Sequence, residues 1–396
     1  MLLVPKHTPS LLKASRGALG LSHSVWRPKR YIQTETSRTG EILSERFCVL
    51  FMGRDEFSCL VLQELYKAQD VWKDIVITTQ PDVHVGRRGS VLSISPLKIL
   101  GEKLGLPVYT IPKVRREFRT WQLPPPFLLN EVQSSAPTNH LLVTASFGRI
   151  LTGKMLNSFQ PSRRLNVHPS LLPSYRGPAP IQHTILNNEK ETGVCVIQML
   201  KKSEGIDAGS LWACEKMPVP GNATFSSLRD DLATAGGKLL VSVLRDALSG
   251  KAVAQAQSSA DKVPAAPLIT AEDAAVNFNT MTASDIFRRF RAISHQKPLT
   301  TCSSDGKPLH LRELTILDPS LPSAAALSQE PGSATLLNKV LTIRCADSTV
   351  LGVSIVKPEG KSDRNAHEFW NGLRAVKQGE KFVEFGKCAP APLSSS

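Results

Sequence analysis

The chain has 396 residues, 41% of them hydrophobic, seven cysteines and a formal net charge of +14. That length accommodates two domains of ordinary size, and the lack of any run of 18 apolar residues excludes a helical membrane span. The cysteines (Cys48, Cys59, Cys195, Cys214, Cys302, Cys345, Cys388) are scattered, with no Cys-x-x-Cys, which disfavours a zinc site or a disulfide framework and fits a reducing compartment.

Charge is uneven along the chain. Residues 1–34 hold Lys6, Lys13, Arg16, Arg27, Lys29 and Arg30, six of the 48 basic residues, and no acidic one. With frequent Ser and Leu, this is the composition of a mitochondrial transit peptide; the compact apolar core and small-residue cleavage site of a secretory signal are missing. Residues 1–31 are therefore set aside as a targeting segment cut near Arg30-Tyr31, and the expected location is the mitochondrial matrix. The remainder keeps 42 basic against 34 acidic side chains, an excess of +8 that suits a polyanionic partner.

From residue 46 an apolar run reaches Met52 and stops at Gly53, which predicts a buried strand; 57–69 then has helical spacing. Residues 74–79, 107–111, 140–144 and 165–168 continue the strands, with a helix at 96–105 between the first two. Strands alternating with helices predict an α/β fold, a Rossmann-like and mostly parallel sheet. The first turn, Gly53-Arg54-Asp55-Glu56-Phe57, is not Gly-x-Gly-x-x-Gly, so a nicotinamide cofactor is disfavoured. A long amphipathic helix over 224–248 closes a catalytic domain placed at 45–250. The Ala-, Ser- and Gln-rich stretch 251–270 is expected to be a linker. In the second domain, 271–385, a basic helix at 283–293 precedes short β-like runs at 308–316, 340–344, 350–356 and 382–385. Those predict an OB-like barrel, with a loop insertion at 319–335 and a disordered tail from 386.

The chemistry concentrates in 164–209. Alternation along Leu165-Asn166-Val167-His168 projects Asn166 and His168 from one face. Pro169 ends the strand, so both lie at its carboxyl end, where open α/β sheets bind ligands. Pro173, Pro178 and Pro180 hold the following loop extended, while Gly177 lets backbone approach a ligand. Asp207 follows between Gly205 and Gly209. Singly, each of the three polar residues reads equally as a turn former or a satisfied structural group. Together, an amide donor, an imidazole and a carboxylate make the set that acyl transfer to an amine requires.

Asn166-Val-His-Pro-Ser-Leu-Leu-Pro-x-Tyr-Arg-Gly-x-x-Pro-Ile181, then Glu191-Thr-Gly-Val194 and Gly205-Ile-Asp-x-Gly209, resembles the 10-formyltetrahydrofolate-dependent formyltransferase family. Thr79-Gln-Pro-Asp82, Gly86-Arg87-Arg88, Ser95-Pro-x-Lys98 and Ala145-Ser-Phe-Gly-Arg-Ile-Leu151 are similar to the branch that formylates methionyl-tRNA. The resemblance implies 10-formyltetrahydrofolate as formyl donor and methionyl-tRNA as acceptor. Asn166, His168 and Asp207 would be catalytic, with Asp207 fixing the imidazole's tautomer or supporting its positive charge. It further implies that the pterin is held largely by the backbone of Phe147, Gly148, Arg149, Ile150 and Leu151 and of Ser203, Glu204, Gly205 and Ile206. Arg87 and Arg88, in the loop after the second strand, are expected to grip the acceptor stem, and Arg288, Arg289 and Arg291 to track the tRNA backbone. No metal is expected, and the protein is expected to be a monomer. The rival readings are the same chemistry on a small amine or water, and a non-catalytic RNA-binding relative.

Overall fold

The computed structural model describes residues 45–86, 89–128, 135–258, 263–320 and 327–386. Residues 1–31, expected to be a transit peptide, Arg87, Arg88 and the tail beyond residue 386 lie outside the described residues.

A seven-stranded sheet forms the middle of the first domain. Its strands are β1 (Phe47–Met52), β2 (Trp72–Thr79), β5 (Val108–Thr110), β6 (His140–Ala145), β7 (Arg164–His168), β8 (Glu191–Gln198) and β9 (Leu211–Pro218). Between β2 and β5, β3 (Val83–Val85) and β4 (Val91–Ser93) form a separate antiparallel hairpin. The order β5-β2-β1-β6-β7-β8-β9 is parallel as far as β7 and antiparallel over the last two strands. Sequential connections run one way from β1 through β2 to β5 and the other way from β6 onward. The crevice at the carboxyl ends of β1, β6 and β7 is therefore the topological switch point.

β1 is apolar on both faces because both are covered. Val49 and Phe51 enter one core and Leu50 and Met52 the other. On the first side lie α1 (Glu56–Lys67) and α6 (Phe225–Leu248). A Cβ on Gly236 would meet Val167 Cγ1 at 2.7 Å, and one on Gly237 would meet Glu64 Cβ at 2.7 Å. Glycine inside a helix costs about 0.5–1 kcal/mol relative to alanine. Here it lets α6 seat directly on Val167, the residue between Asn166 and His168, and so backs the strand that carries the site. Around these lie α2 (Pro96–Lys103), α3 (Arg115–Phe118), α4 (Gly153–Asn157) and α5 (Pro180–Leu186).

The second domain begins with α7 (Ala271–Ala274) and α8 (Ala283–Ile293). An antiparallel sheet follows in the order β10-β11-β14-β13-β12-β16, with β15 on β14. The strands are β10 (Leu299–Cys302), β11 (Pro308–Leu317), β12 (Ser333–Leu337), β13 (Val340–Arg344), β14 (Val350–Pro358), β15 (Arg364–Asn365) and β16 (Val383–Glu384), with α9 (Ala366–Gly372) and α10 (Arg374–Lys377) before the last. The Gly386 amide donates to the Cys302 carbonyl at 2.8 Å, which brings the end of β16 round to β10 and curls the sheet into a half-barrel. Cys302 is disulfide-bonded, while Cys48, Cys59, Cys195, Cys214 and Cys345 are free thiols.

Two sequence readings change. The segment 80–95, expected to be a plain loop, contains the β3–β4 hairpin. Its base is pinned by the Lys98–Asp82 ion pair at 2.6 Å and a Thr79–Ser95 hydroxyl contact at 2.6 Å. Linker residues 252–258 and 263–267 do not hang free. Leu211 and Gln255 exchange backbone hydrogen bonds, and Ala266 bonds the backbone of Arg176 and Ala179. The linker thus runs as a strap along β9 and the loop after β7.

Candidate active site

β7 delivers its two polar residues as the alternation requires. Asn166 is half-buried, and His168, with 4% of its surface exposed, is buried. The Thr144 hydroxyl on neighbouring β6 donates to Asn166 Oδ1 at 2.8 Å. With Oδ1 facing Thr144, whose hydroxyl also lies 3.2 Å from Met199 Sδ, the Nδ2 donor points away from that hydroxyl.

His168 is fixed from both sides. Its Nε2 lies 3.0 Å from the Tyr175 carbonyl, which can only accept, so Nε2 carries a hydrogen. In the neutral ring Nδ1 therefore holds the lone pair. Nδ1 lies 3.8 Å from Asp207 Oδ2, too long for a hydrogen bond and short enough to stabilise a proton that arrives on the ring. The sequence reading gave Asp207 a choice of roles. Tautomer selection falls to the Tyr175 carbonyl, and electrostatic support is left to Asp207.

Both residues that flank the imidazole sit in left-handed backbone, at φ 61° for Tyr175 and 52° for Asp207. Non-glycine residues adopt this region at a cost and persist there when their surroundings over-determine them. Tyr175 is held through its amide on the Pro264 carbonyl at 2.6 Å and its hydroxyl between Glu189 and Asn187. Asp207 accepts the Gly177 amide on Oδ2 at 3.1 Å. A Cβ on Gly177 would lie 2.6 Å from the Ala266 carbonyl of the strap, so only glycine fits beneath the crossing chain.

The two expected folate-binding segments both border the switch point. After β6, Ser146 and Gly148 turn with φ 50° and 73°, and Gln80 Nε2 donates to the Phe147 carbonyl at 2.9 Å. Phe147 and Leu151 are buried, Arg149 donates to the Lys113 carbonyl, and Ile150 stays 50% exposed. In the second segment, Glu204 caps its own turn through the Lys201 amide, Gly205 takes φ 114° and Ile206 is 51% exposed, with Ser203 also exposed. Just outside the two segments, the Lys201 stem comes within about 4 Å of a Cβ placed on Gly153. Two exposed isoleucines beside positive-φ turns suit a flat heterocycle. Behind the first turn, Asp55 caps α1 and meets the Ser146 hydroxyl, and burial pushes its carboxyl pKa above the usual range.

The three arginines of α8 each make contacts within the protein. Arg288 donates to the Leu186 carbonyl and pairs with Asp285, Arg289 donates to the Asp273 carbonyl, and Arg291 donates to the Ala223 carbonyl with its guanidinium 5.8 Å from the Phe287 ring centroid. Burial also lowers the Arg291 pKa. All three are half-buried, and Arg288 and Arg291 bind α8 to the first domain. Arg87 and Arg88 lie outside the described residues. The flanking hairpin exposes Val85, Val91 and Leu92 at 44%, 56% and 48%. Sequence reasoning missed Thr144, the Tyr175 carbonyl and the hairpin. Only the hairpin had a local signal, the short β-branched runs on either side of Gly86 and Gly89.

Residues 45–244 match the formyl transferase family, and residues 268–374 match the formyl transferase C-terminal domain. A methionyl-tRNA formyltransferase of Listeria innocua is 34% identical over 339 residues, 86% of this chain and 99% of that protein. One of Lactiplantibacillus plantarum is 32% identical over 325 residues, 82% and 95% of the two chains. Among solved structures, the sugar 3N-formyl transferase WlaRD, crystallised with dTDP and 5-N-formyl-THF, has a TM-score of 0.52 at 16% identity, over 81% of this chain and 100% of its own. HypX from Aquifex aeolicus, in complex with tetrahydrofolic acid, also gives 0.52 at 16%, over 87% and 51%. These two likenesses are of fold.

Proposed function

Because the chain belongs to the formyl transferase family, we propose that it transfers the formyl group of 10-formyltetrahydrofolate to the α-amino group of methionyl-tRNA. The product is N-formylmethionyl-tRNA, used to initiate translation in mitochondria. The observation that carries this reading is the Asn166 amide oriented by Thr144 beside the His168–Asp207 pair, all at the carboxyl end of β7. Relatives matched along 95–99% of their length and named for this acceptor support the substrate.

The neutral amine attacks the formyl carbon, and the carbonyl oxygen gains negative charge. Asn166 Nδ2 donates to that oxyanion, an interaction that strengthens as charge develops. The proton released by the amine passes to His168 Nδ1, where the Asp207 carboxylate stabilises the imidazolium, and then to the folate nitrogen as its bond to the formyl carbon breaks. Tetrahydrofolate leaves with the proton, so the ring returns to its starting tautomer. The folate lies across Phe147–Leu151 and Ser203–Ile206, its pterin read by backbone. Arg87 and Arg88, which lie between β3 and β4 in the sequence, meet the acceptor stem, and the six basic residues of 1–34 direct import.

The test uses protein lacking residues 1–31, 10-formyltetrahydrofolate, and as acceptors methionyl-tRNA, glycinamide ribonucleotide, an amino sugar and water. Methionyl-tRNA is expected to be the preferred acceptor. Asn166→Ala and His168→Ala should each lose about 10²–10³-fold in kcat with unchanged folate affinity; near-normal turnover in either refutes the mechanism, and preference for a small amine refutes the acceptor. A fluorescent fusion of residues 1–40 should enter mitochondria and be shortened, and an uncut cytosolic fusion would refute the location.

A further inference from the structure

We propose that Gln257, in the strap between the domains, is a positioning residue that holds Asp207 against His168; this rests on the catalytic roles given above. Gln257 uses both ends of its side chain. Nε2 donates to the carbonyls of Asp207 and Gly209, each at 2.8 Å. Oε1 accepts from Arg176 Nε at 3.1 Å and also from Arg176 Nη2. Arg176 stands between Tyr175, whose carbonyl fixes the His168 tautomer, and Gly177, whose amide holds the Asp207 carboxylate. One glutamine therefore closes a ring of contacts around the imidazole.

Packing does not replace it. A cavity of about 370 Å³ lies behind the Asp207 loop, lined by Arg176, Gln257, Ala208 and Ser210 among others. Pro173, Ala256 and Val263 also border that cavity, which leaves open space behind the loop. Asp207 is in left-handed backbone at φ 52°, a conformation that relaxes unless its neighbours hold it. With Gln257 gone, the carbonyls of Asp207 and Gly209 and the Arg176 guanidinium all turn to water in that cavity, and the carboxylate leaves its place beside Nδ1. The strap runs on to the second domain, so a segment that resembles a spacer completes the catalytic geometry of the first.

Gln257→Ala is expected to lower kcat about 10- to 30-fold, with KM for folate and methionyl-tRNA within about threefold of the parent, since small misplacements near reacting groups act on the chemical step. Gln257→Glu keeps an acceptor for Arg176 but cannot donate to the two carbonyls, and should lose as much. In the Asp207→Asn background, Gln257→Ala should cost nothing further, because its effect passes through the carboxylate already removed. A multiplicative loss in the double variant, or a parent-like kcat in Gln257→Ala with thermal midpoint intact, would overturn the proposal. Amide exchange gives a readout independent of the acceptor. The Gly177 amide, bonded to Asp207 Oδ2, should exchange faster in Gln257→Ala, and unchanged protection would also overturn it. Should the parent fail to formylate methionyl-tRNA, the proposed substrate falls while the exchange measurement still decides the strap.

Discussion

Thr144→Val separates the donor from the residue that aims it. Valine keeps the β-branched shape on a buried strand, where the Thr144 side chain is 6% exposed, and removes only the hydroxyl. The bond to Asn166 Oδ1 is 2.8 Å long. A net contribution of about 1 kcal/mol for such a bond corresponds to about fivefold in the population of correctly turned amide. The Asn166 donor as a whole contributes about 10²–10³-fold, the range seen when one oxyanion donor is removed. Thr144→Val should therefore cut kcat about 3- to 10-fold, far less than Asn166→Ala, and Thr144→Ser should restore most of the rate. The assay is formyl transfer with both substrates saturating, beside a thermal melt expected to move by no more than about 2 °C. A loss equal to that of Asn166→Ala would mean that Thr144 touches the reaction directly. No loss would mean that the amide is oriented by something other than this bond.

The domain joint supplies two further tests. The His295 ring stacks on Phe225 with centroids 3.7 Å apart and planes 7° from parallel, and desolvation with the nearby Arg229 charge lowers its pKa to about 4. Between pH 6.5 and 4 the unfolded chain binds a proton that the folded chain refuses, so stability from this group is full above 6.5 and lost as pH falls through 4. The thermal midpoint of the parent should fall more steeply over that window than that of His295→Phe, and parallel curves would refute the assignment. Arg288→Ala should lower the melting temperature, because it leaves the Leu186 carbonyl and Asp285 without their partner, yet barely change KM for methionyl-tRNA. Replacing the exposed Arg374, Lys377 and Lys381 with alanine should do the reverse, raising that KM and flattening its salt dependence. The opposite pattern would return the tRNA contact to α8.

What could be read in the sequence were features whose cause is local. β1 is visible because its side chains enter two cores by turns, which leaves an apolar run bounded by Gly53. Asn166 and His168 are visible because strand alternation and Pro169 fix their face and their place at the strand end. Asp207 came with its glycines, and the structure gives Gly209 its reason: a Cβ there would fall 1.9 Å from the Gln198 carbonyl. The α8 arginines show where composition stops short, because it reports charge and not its partner. Their acceptors are carbonyls of Leu186, Asp273 and Ala223, up to 102 residues away along the chain, and a carbonyl leaves no mark in a sequence.

The same blindness explains why the catalytic trio is only half of the site. Each of its three side chains is given direction by a group that carries no chemical signature: a threonine hydroxyl for Asn166, a backbone carbonyl for His168, a backbone amide and a linker glutamine for Asp207. All three supports are neutral. A charged group beside Asn166 would compete with the oxyanion for its amide, and a second carboxylate beside His168 would hold the proton that must move on to the folate. Neutral dipoles fix orientation without drawing charge from the reaction, and Asp207 alone supplies charge, at 3.8 Å rather than in hydrogen-bond contact. In the proposed mechanism, that spacing keeps the carboxylate near the imidazole without a hydrogen bond to it, so one group can serve both halves of the transfer.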